Sequence, residues 1–211
     1  MAQTPRPWFG GPHGIGCSQG GFSSTPVIDS VHQTAIASSW VMRWSHLIPQ
    51  GGKVLDLACG HGRHMQWLTQ QGFDCLGVDR DSQALATAQA FGEVIQADLE
   101  NHAWPLAGRQ FAGVVVTNYL WRALWPDLRN AVDESGVLIY ETFAAGNASV
   151  GKPSNPDFLL MPGELLSLCQ GLRVIAYEDG FAHYPERFIQ RVVAVREPKS
   201  DLQFTRYLLK D

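Results

Sequence analysis

The chain has 211 residues, of which 45% are hydrophobic, and carries a formal net charge of −4 at pH 7. This length favours one large domain over two. The acidic balance argues against nucleic acid as the main partner, because phosphate binding normally requires a basic face. A run of about 18 apolar residues, which a membrane helix requires, does not occur, and the N-terminus lacks a signal-peptide pattern. We therefore expect a cytoplasmic protein that does not enter a membrane.

The four cysteines are scattered rather than grouped at the spacings that metal sites use. They are Cys17, Cys59, Cys75 and Cys169. Two of them stand in apolar runs, where a free thiol packs as a small hydrophobic side chain. We therefore expect reduced, buried cysteines and no bound metal.

The first 25 residues are rich in Gly, Pro and Ser and show no hydrophobic period, which predicts a flexible N-terminal arm over residues 1–25. A helical pattern then runs from Ile28 to Leu47. Asp29 or Ser30 would cap its start, and Pro49–Gly52 would end it. We expect this helix to pack on the sheet that follows.

The segment Lys53–Arg63, KVLDLACGHGR, begins as a short apolar run that contains Asp56 and ends in two closely spaced glycines, Gly60 and Gly62. A buried strand that leads directly into glycines is typical of a strand–loop–helix turn. Glycines there let the backbone approach a ligand closely, and the next helix directs unpaired N–H groups at the turn. The segment therefore predicts the first turn of a nucleotide-type binding fold, with Asp56 pointing into the same crevice.

Strands and helices continue to alternate after this turn. Further strands are predicted at 74–79, 93–99, 113–119 and 136–143, with helices at 62–71, 82–91 and 125–132. A long loop at 144–161 and a helix at 162–170 lead to two strands, 173–181 and 188–195, that should pair as an antiparallel hairpin. This order predicts an α/β fold: a doubly wound, seven-stranded, mostly parallel sheet with one antiparallel strand and helices on both faces.

Polar residues stand where the predicted strands end. Each strand body is apolar, yet the ends carry Asp56 with Gly60, then Asp79, Asp98, Asn118 and Glu141. In parallel α/β sheets, ligands bind at the carboxyl ends of the strands. These consecutive polar ends therefore predict one polar binding edge.

The stretch Asp56–Gly62 resembles the first motif of class I S-adenosylmethionine (SAM)-dependent methyltransferases, in which an acidic residue precedes three glycines at alternate positions. Ala58 occupies the place of the first glycine, and the resemblance extends over roughly residues 54–195. Further short matches, GRH at 62–64, NYL at 118–120, ETF at 141–143, NPDFLL at 155–160 and PGELL at 162–166, are similar to the tellurite-resistance-like branch. The resemblance implies a Rossmann-like methyltransferase domain over 26–198 and a C-terminal tail over 199–211.

The resemblance also implies roles for the polar edge. Asp79 would hold the ribose hydroxyls of SAM, Asp98 and Leu99 would border the adenine, and Asn118 and Tyr119 would lie beside the methionine part. The implied cofactor-binding residues are Asp56, Ala58, Gly60, Gly62, Arg63, Asp79, Arg80, Asp98, Leu99, Asn118 and Tyr119.

Each acidic residue has a structural alternative. An ionised carboxylate offers acceptors for two ribose hydroxyls, and Asp79 could instead cap a helix, although Asp81 and Ser82 are better placed to do so. Asp98 is equally consistent with a turn residue. Asp56 stands in an apolar run, where an unpaired charge is costly, so it could instead be tied to local backbone N–H groups.

The candidate catalytic residues follow the fourth and fifth predicted strands and are Tyr119, Arg122 and Glu141. We expect the loop 144–161 to fold over a small substrate; the alternative is a surface segment that packs on the final hairpin. The acceptor is expected to be a small molecule, with a soft nucleophile such as a thiol or chalcogen oxyanion favoured because it needs little help from a base. An N-P-P-Y motif, found in nucleic-acid amino methyltransferases, is absent. We expect a monomer or homodimer.

Two other functions compete with this hypothesis. A dinucleotide-dependent Rossmann enzyme requires a third glycine in G-x-G-x-x-G, and that position, counted from Gly60, is Met65. The dinucleotide hypothesis is therefore weaker. A SAM-binding protein without catalytic activity remains open.

Overall fold

The computed structural model describes residues 36–199 and 205–209. The predicted arm over 1–25, the proposed helix caps Asp29 and Ser30, and Cys17 lie outside the described residues. The described residues form one sheet with its covering helices. No helix in these ranges is long and apolar enough to cross a membrane.

Seven strands form one sheet in the described part of the chain, in the order β3-β2-β1-β4-β5-β7-β6. The first five pair in parallel, and β7 lies antiparallel between β5 and β6. The strands are β1 Lys53–Leu57, β2 Asp74–Asp79, β3 Glu93–Gln96, β4 Phe111–Thr117, β5 Val132–Phe143, β6 Arg173–His183 and β7 Glu186–Val195. The predicted sheet, with one antiparallel strand, is confirmed.

Helices cover both faces of this sheet, as predicted. They are α1 Ser39–Trp44, α2 Arg63–Gln70, α3 Ser82–Ala88, α4 Trp125–Ala131 and α5 Glu164–Leu168. Helices α1 to α3 contribute to the apolar cluster on one face, and α4 and α5 contribute to the cluster on the other.

Strand β1 is buried on both sides because it lies in the middle of the sheet. Its side chains alternate between the faces. Leu55 and Leu57 join the cluster that contains α4 and α5, whereas Val54 joins the cluster beneath α2. The side chain of Asp56 therefore lies on the same face as Val54.

Some predicted boundaries are wrong. The helix predicted from Ile28 is not helical over 36–38; helix α1 begins at Ser39, because the Ser38 hydroxyl accepts the Trp40 N–H at 3.1 Å as an N-cap. Strand β3 ends at Gln96 rather than at 99, since the Asp98 carboxylate accepts the Glu100 N–H at 3.0 Å and turns the chain. Strand β4 likewise stops before position 118, which has a left-handed φ of 54°.

A comparison of the two glycines at the ends of α2 separates the effect of backbone strain from the effect of steric contact. Both have positive φ, 79° at Gly62 and 89° at Gly72. A Cβ at Gly72 would meet no described atom within 4 Å, whereas one at Gly62 would lie 2.9 Å from the Cα and Cβ of Ala88 on α3. The two positions therefore form a matched pair.

We expect Gly72→Ala to lower the free energy of unfolding by about 1–2 kcal/mol, the usual cost of left-handed backbone for a residue with a Cβ. Gly62→Ala should cost at least about 1 kcal/mol more, because α3 must also move. Urea denaturation of both variants measures the difference. Equal losses would contradict the close approach of α2 and α3.

Candidate functional site

The turn between β1 and α2 has left-handed backbone at alternate positions. The φ angles are 54° at Ala58, 53° at Gly60 and 79° at Gly62. This geometry explains why the sequence motif prefers glycine at every second position. Ala58 adopts the same conformation with a Cβ, which costs about 1–2 kcal/mol.

The two glycines serve different physical needs. A Cβ at Gly60 would meet no described atom within 4 Å, so its backbone borders open space that a ligand can approach. A Cβ at Gly62 would collide with α3. Gly60 therefore keeps the site open, and Gly62 permits the packing of α2 against α3.

The Asp79 carboxylate joins the end of β2 to this turn. Its Oδ2 accepts the Gly60 N–H at 2.8 Å, and its Oδ1 accepts the Asp81 N–H at 2.9 Å. The cap of α3 is Asp81, whose Oδ1 accepts the N–H groups of Gln83 and Ala84. Asp79 is thus free of the capping role and stands at the glycine turn.

A cleft of about 190 Å³ opens beside this carboxylate. It is lined by Ala58, Asp79, Arg80, Ala97, Asp98, Leu99, Glu100 and Tyr119. Six of these residues belong to the predicted cofactor set. Ala97 and Glu100 were not predicted, because the sequence pattern did not show that β3 ends already at Gln96. A neighbouring groove of about 440 Å³ shares Arg80, Ala97 and Asp98 with the cleft, which extends the space beyond β3.

Asp98 lines the cleft, but both oxygens of its carboxylate accept hydrogen bonds within its own turn. Oδ1 accepts the Glu100 N–H at 3.0 Å, and Oδ2 accepts the Asn101 side-chain amide at 2.8 Å. The Asn101 amide and then the Glu100 N–H lower the pKa of the Asp98 carboxyl. The predicted turn role is therefore present, and the predicted contact with a ligand remains a prediction.

Asp56 does not line this cleft, contrary to the prediction. Its side chain is 1% exposed and lies beneath α2. Neither of its oxygens makes a close hydrogen bond among the described residues, but the backbone N–H of Met65 favours its ionised form, as the predicted alternative of local backbone contacts expects. Burial raises the pKa of Asp56 to about 7.

Asp56 also lies beside His64, a neighbour that sequence patterns did not assign to it. His64 Nδ1 lies 3.8 Å from Asp56 Oδ1, and the histidine is 2% exposed. Burial, and then the adjacent Arg63, lowers the pKa of His64 to about 3. His64 is therefore a neutral imidazole and not a surface histidine on the turn.

Arg63 connects the turn to the next elements of the carboxyl edge. Its guanidinium donates to the Thr117 hydroxyl at the end of β4 at 3.4 Å and to the carbonyl of Ile36 at 3.3 Å. The predicted cofactor residue Asn118 follows Thr117, is exposed, and donates its N–H to the carbonyl of Glu141 at 2.8 Å. Neither Arg63 nor Asn118 lines the cleft described above.

Glu141, a predicted catalytic residue, is 1% exposed and engaged in ion pairs. Its carboxylate lies 3.3 Å from Arg187 and 3.2 Å from Arg191, and accepts the Ser38 hydroxyl at 3.1 Å. Both arginines belong to β7, and the antiparallel register that brings Arg191 opposite Glu141 had no signal in the sequence. This network holds the start of α1 to the sheet and leaves no free carboxylate oxygen for a base.

Arg122, the second catalytic candidate, fixes the loop 144–161. It donates to the Glu164 carboxylate at 2.6 and 3.0 Å and to the carbonyls of Asp157 and Leu159. The buried Asn147 accepts the Phe188 N–H at 3.2 Å. The loop therefore packs on the final hairpin, which was the alternative prediction.

Tyr119, the third catalytic candidate, is half-buried on the cleft wall. Its hydroxyl is buried without a partner among the described residues. Burial raises the pKa of this phenol, and its carbonyl accepts the Tyr140 hydroxyl at 2.6 Å. Tyr119 lines the cleft with Asp98 and Leu99, whereas Arg122 and Glu141 do not, so the three candidates do not line one site.

Among residues 36–199 and 205–209, no group of three or more His, Cys, Asp or Glu side chains is placed to hold a metal ion. The three described cysteines are free and buried, as expected. The candidate site therefore consists of the glycine turn, the strand-end carboxylates and the cleft between them.

Comparison with known proteins identifies relatives over this turn and sheet. Residues 54–137 match the family described as a methyltransferase domain. YqeM of Bacillus subtilis (strain 168), which is named as a methyltransferase, is 35% identical over 69 residues. That match covers 33% of this chain and 27% of YqeM, so the chain matches only about a quarter of this relative.

Solved structures of similar fold include TehB from Haemophilus influenzae, with a TM-score of 0.64 and 17% identity over 79% of this chain and 64% of TehB. A SAM-dependent methyltransferase from Mesorhizobium loti gives 0.57 and 18% over 72% and 95% of the chains. The magnesium protoporphyrin IX methyltransferase from Synechocystis PCC 6803, solved with S-adenosylhomocysteine, gives 0.57 and 18% over 75% and 79%. These matches establish the fold.

The pH dependence of stability tests the burial of Asp56. Its folded pKa of about 7 lies above the ordinary 3.8, so its contribution is fully present below about pH 4 and is lost as pH rises through 7. Asp56→Asn cannot ionise. We therefore expect the stability of the variant relative to the wild type to rise by at least about 1.4 kcal/mol from pH 5 to pH 8, the equivalent of one pKa unit.

Urea denaturation of both proteins at each pH measures this difference. The opposing titration of His64 is present in both proteins and largely cancels. A difference that is independent of pH would show that Asp56 titrates as an ordinary exposed carboxyl.

Proposed function

We propose that this chain is a class I SAM-dependent methyltransferase that transfers a methyl group from SAM to a small-molecule acceptor. The methyltransferase domain match over residues 54–137 and the shared fold support this proposal. The predicted tellurite-resistance-like branch is supported by the fold of TehB.

The hydrogen bond between Gly60 and Asp79 is the observation that carries the proposal. Each Asp79 oxygen accepts one recorded N–H bond, at 2.8 and 2.9 Å, and a carboxylate oxygen has a second lone pair. Two ribose hydroxyls can therefore donate to a carboxylate that the protein already holds in place. The cleft beside it offers Leu99 and Tyr119 as apolar wall and Asp98 as a polar rim, which suits a nucleoside.

SAM, when bound, supplies a methyl group on a sulfonium for in-line displacement. The chain's contribution is positioning, which is the main source of rate enhancement when two groups must only be aligned. Gly60 leaves the turn open to the cofactor, and Asp79 orients its ribose. Arg63 links the start of α2 to the end of β4.

The favoured acceptor is a soft nucleophile, such as a thiol or chalcogen oxyanion. None of the three predicted catalytic residues is available as a base: Glu141 is ion-paired, Arg122 is bound to Glu164, and Tyr119 is held as a neutral phenol. The pKa of Tyr119 is raised by burial, and that of His64 is lowered to about 3. An acceptor that is already nucleophilic requires no proton transfer to such a base.

Transfer from labelled SAM into a panel of thiols, chalcogen oxyanions, phenols and amines tests the activity and the acceptor together. We expect label in the thiol or chalcogen products. Label only in phenols or amines would contradict the soft acceptor, and SAM binding without any product, including in an extract of small metabolites, would indicate a binding protein without catalysis.

SAM and S-adenosylhomocysteine should bind to the purified protein, and NAD should not. The position that would carry the third dinucleotide glycine is Met65, a fully buried residue of α2. Isothermal titration with each ligand gives the result. Tight NAD binding without SAM binding would overturn the proposed function.

Asp79→Ala should weaken S-adenosylhomocysteine binding by roughly 1–3 kcal/mol, the scale of hydrogen bonds to a charged group. Asp81→Ala is the matched control, because Asp81 caps α3 without lining the cleft. It should lose about 1 kcal/mol of stability and little affinity. Unchanged affinity in a folded Asp79→Ala protein would remove the ribose role.

A further inference from the structure

Asp56 and His64 form a buried pair beneath the glycine turn, and the function proposed above uses neither. Asp56 shares a face of β1 with Val54 and therefore lies below α2. His64 lies in the first turn of α2, two residues after Gly62. The pair is thus attached to both ends of the turn that borders the cleft.

The pair makes few close polar contacts with the rest of the protein. Both carboxylate oxygens of Asp56 and the Nε2 atom of His64 are buried without a hydrogen bond in the described part of the chain. In the sheet, Asp56 lies opposite Gly77 and Val115, neither of which has a polar side chain. The His64 Nδ1 atom, at 3.8 Å from Asp56 Oδ1, is the side-chain group placed to donate to the carboxylate after a small movement, and the Met65 backbone N–H also favours the ionised carboxylate.

Other charged groups near Asp56 come from each adjoining element. Arg63 on α2 favours its ionised form, whereas Asp79 at the end of β2 disfavours it. The thiol of Cys59 in the turn is buried, and burial raises its pKa. The buried thiol of Cys75 on β2 and the backbone N–H of Met65 on α2 also interact with the carboxylate. These contributions oppose one another, so burial dominates.

Near neutral pH the charge of the pair depends on Asp56 alone. His64 stays neutral because burial lowers its pKa to about 3. Burial also raises the pKa of Asp56 to about 7. The pair therefore gains one negative charge as pH rises through neutrality, directly below the turn that would receive the cofactor.

We propose that His64 is a positioning residue that holds the ionised Asp56 carboxylate beneath the glycine turn, so that the site favours the sulfonium of SAM over the thioether of S-adenosylhomocysteine. This proposal rests on the proposed function. A neutral Nδ1–H can donate to the carboxylate at no cost in net charge. The charge of Asp56 would then help the protein to bind the cofactor and release the product.

Comparison of the two ligands isolates this effect. They have the same adenosine and amino-acid groups and differ by the methyl group and its positive charge. Titration of shared groups therefore cancels in the ratio of their dissociation constants. Two unit charges roughly 10 Å apart at an effective dielectric constant of about 20 change an affinity by about ten-fold.

The experiment is isothermal titration of the full chain with SAM and with S-adenosylhomocysteine between about pH 6 and about pH 8.5, at constant ionic strength. We expect the preference for SAM to rise about ten-fold with pH in the wild type, around a midpoint near 7, and to be independent of pH in Asp56→Asn. A flat ratio in the wild type would overturn the proposal.

Two substitutions of His64 separate positioning from packing. His64→Asn keeps an N–H donor and should retain a midpoint near that of the wild type. His64→Leu removes the donor and should move the midpoint upward by at least about one pH unit. A merely structural role would weaken both ligands equally and leave the midpoint unchanged, which would contradict the proposal.

His61, the exposed histidine of the same turn, provides the matched control. His61→Asn should keep the pH-dependent preference. If the preference for SAM became independent of pH in His61→Asn but stayed pH-dependent in Asp56→Asn, His61 would be the group responsible. That result would overturn the proposal. If neither ligand binds the wild type, the proposed function itself fails, which is distinct from binding with a flat ratio.

A measurement on the wild type covers the case in which the variants do not fold. Protein labelled with ¹³C at the aspartate carboxyl groups should show one resonance that titrates near pH 7. All aspartate resonances titrating below about pH 5 would overturn the proposal.

Discussion

The hydrogen bond from the Gly60 N–H to the Asp79 carboxylate is the constraint on which the site depends. It joins the turn after β1 to the end of β2, at 2.8 Å. The bond requires left-handed backbone at Ala58, Gly60 and Gly62, because only this path brings the turn back to the neighbouring strand. The packing of α2 against α3 stabilises this strained turn. Glycine at position 62 allows that packing because it has no Cβ. The cleft is the space that remains beside this bond.

Two buried acids at the same edge of the sheet illustrate two solutions to the cost of desolvation. Glu141 is surrounded by Arg187, Arg191 and the Ser38 hydroxyl, so its charge is compensated and serves to anchor α1. Asp56 lies beside a neutral imidazole rather than in an ion pair, and burial raises its pKa to about 7. The first acid is a structural ion pair, whereas the second is able to change its charge near neutral pH. Both acids lie near the carboxyl edge of the sheet, so this edge carries one fixed charge, that of Glu141, and one charge that depends on pH, that of Asp56.

Much of the fold followed from local pattern. The apolar strands, the helix after Gly62 and the acidic strand ends all have signals within a few residues, and the sheet with one antiparallel strand agrees with them. Most of the predicted residues around Asp79 do line one cleft. The catalytic group was the weakest part: Tyr119 lines the cleft beside Asp79, Arg122 is bound to Glu164, and Glu141 is ion-paired. A side chain's candidacy as a base depends on its partners, and these come from distant parts of the chain.

The sequence by itself determined the order of elements, the glycine turn and the acids at the strand ends, because periodicity and backbone conformational preference are local properties. Tertiary structure alone decided which way Asp56 points, since β1 is buried on both faces and both faces accept apolar neighbours. It also decided that Glu141 meets two arginines, because that contact depends on the register of β7. Burial and cross-strand register arise only when the sheet is assembled, and they set the charge of each acid at this edge.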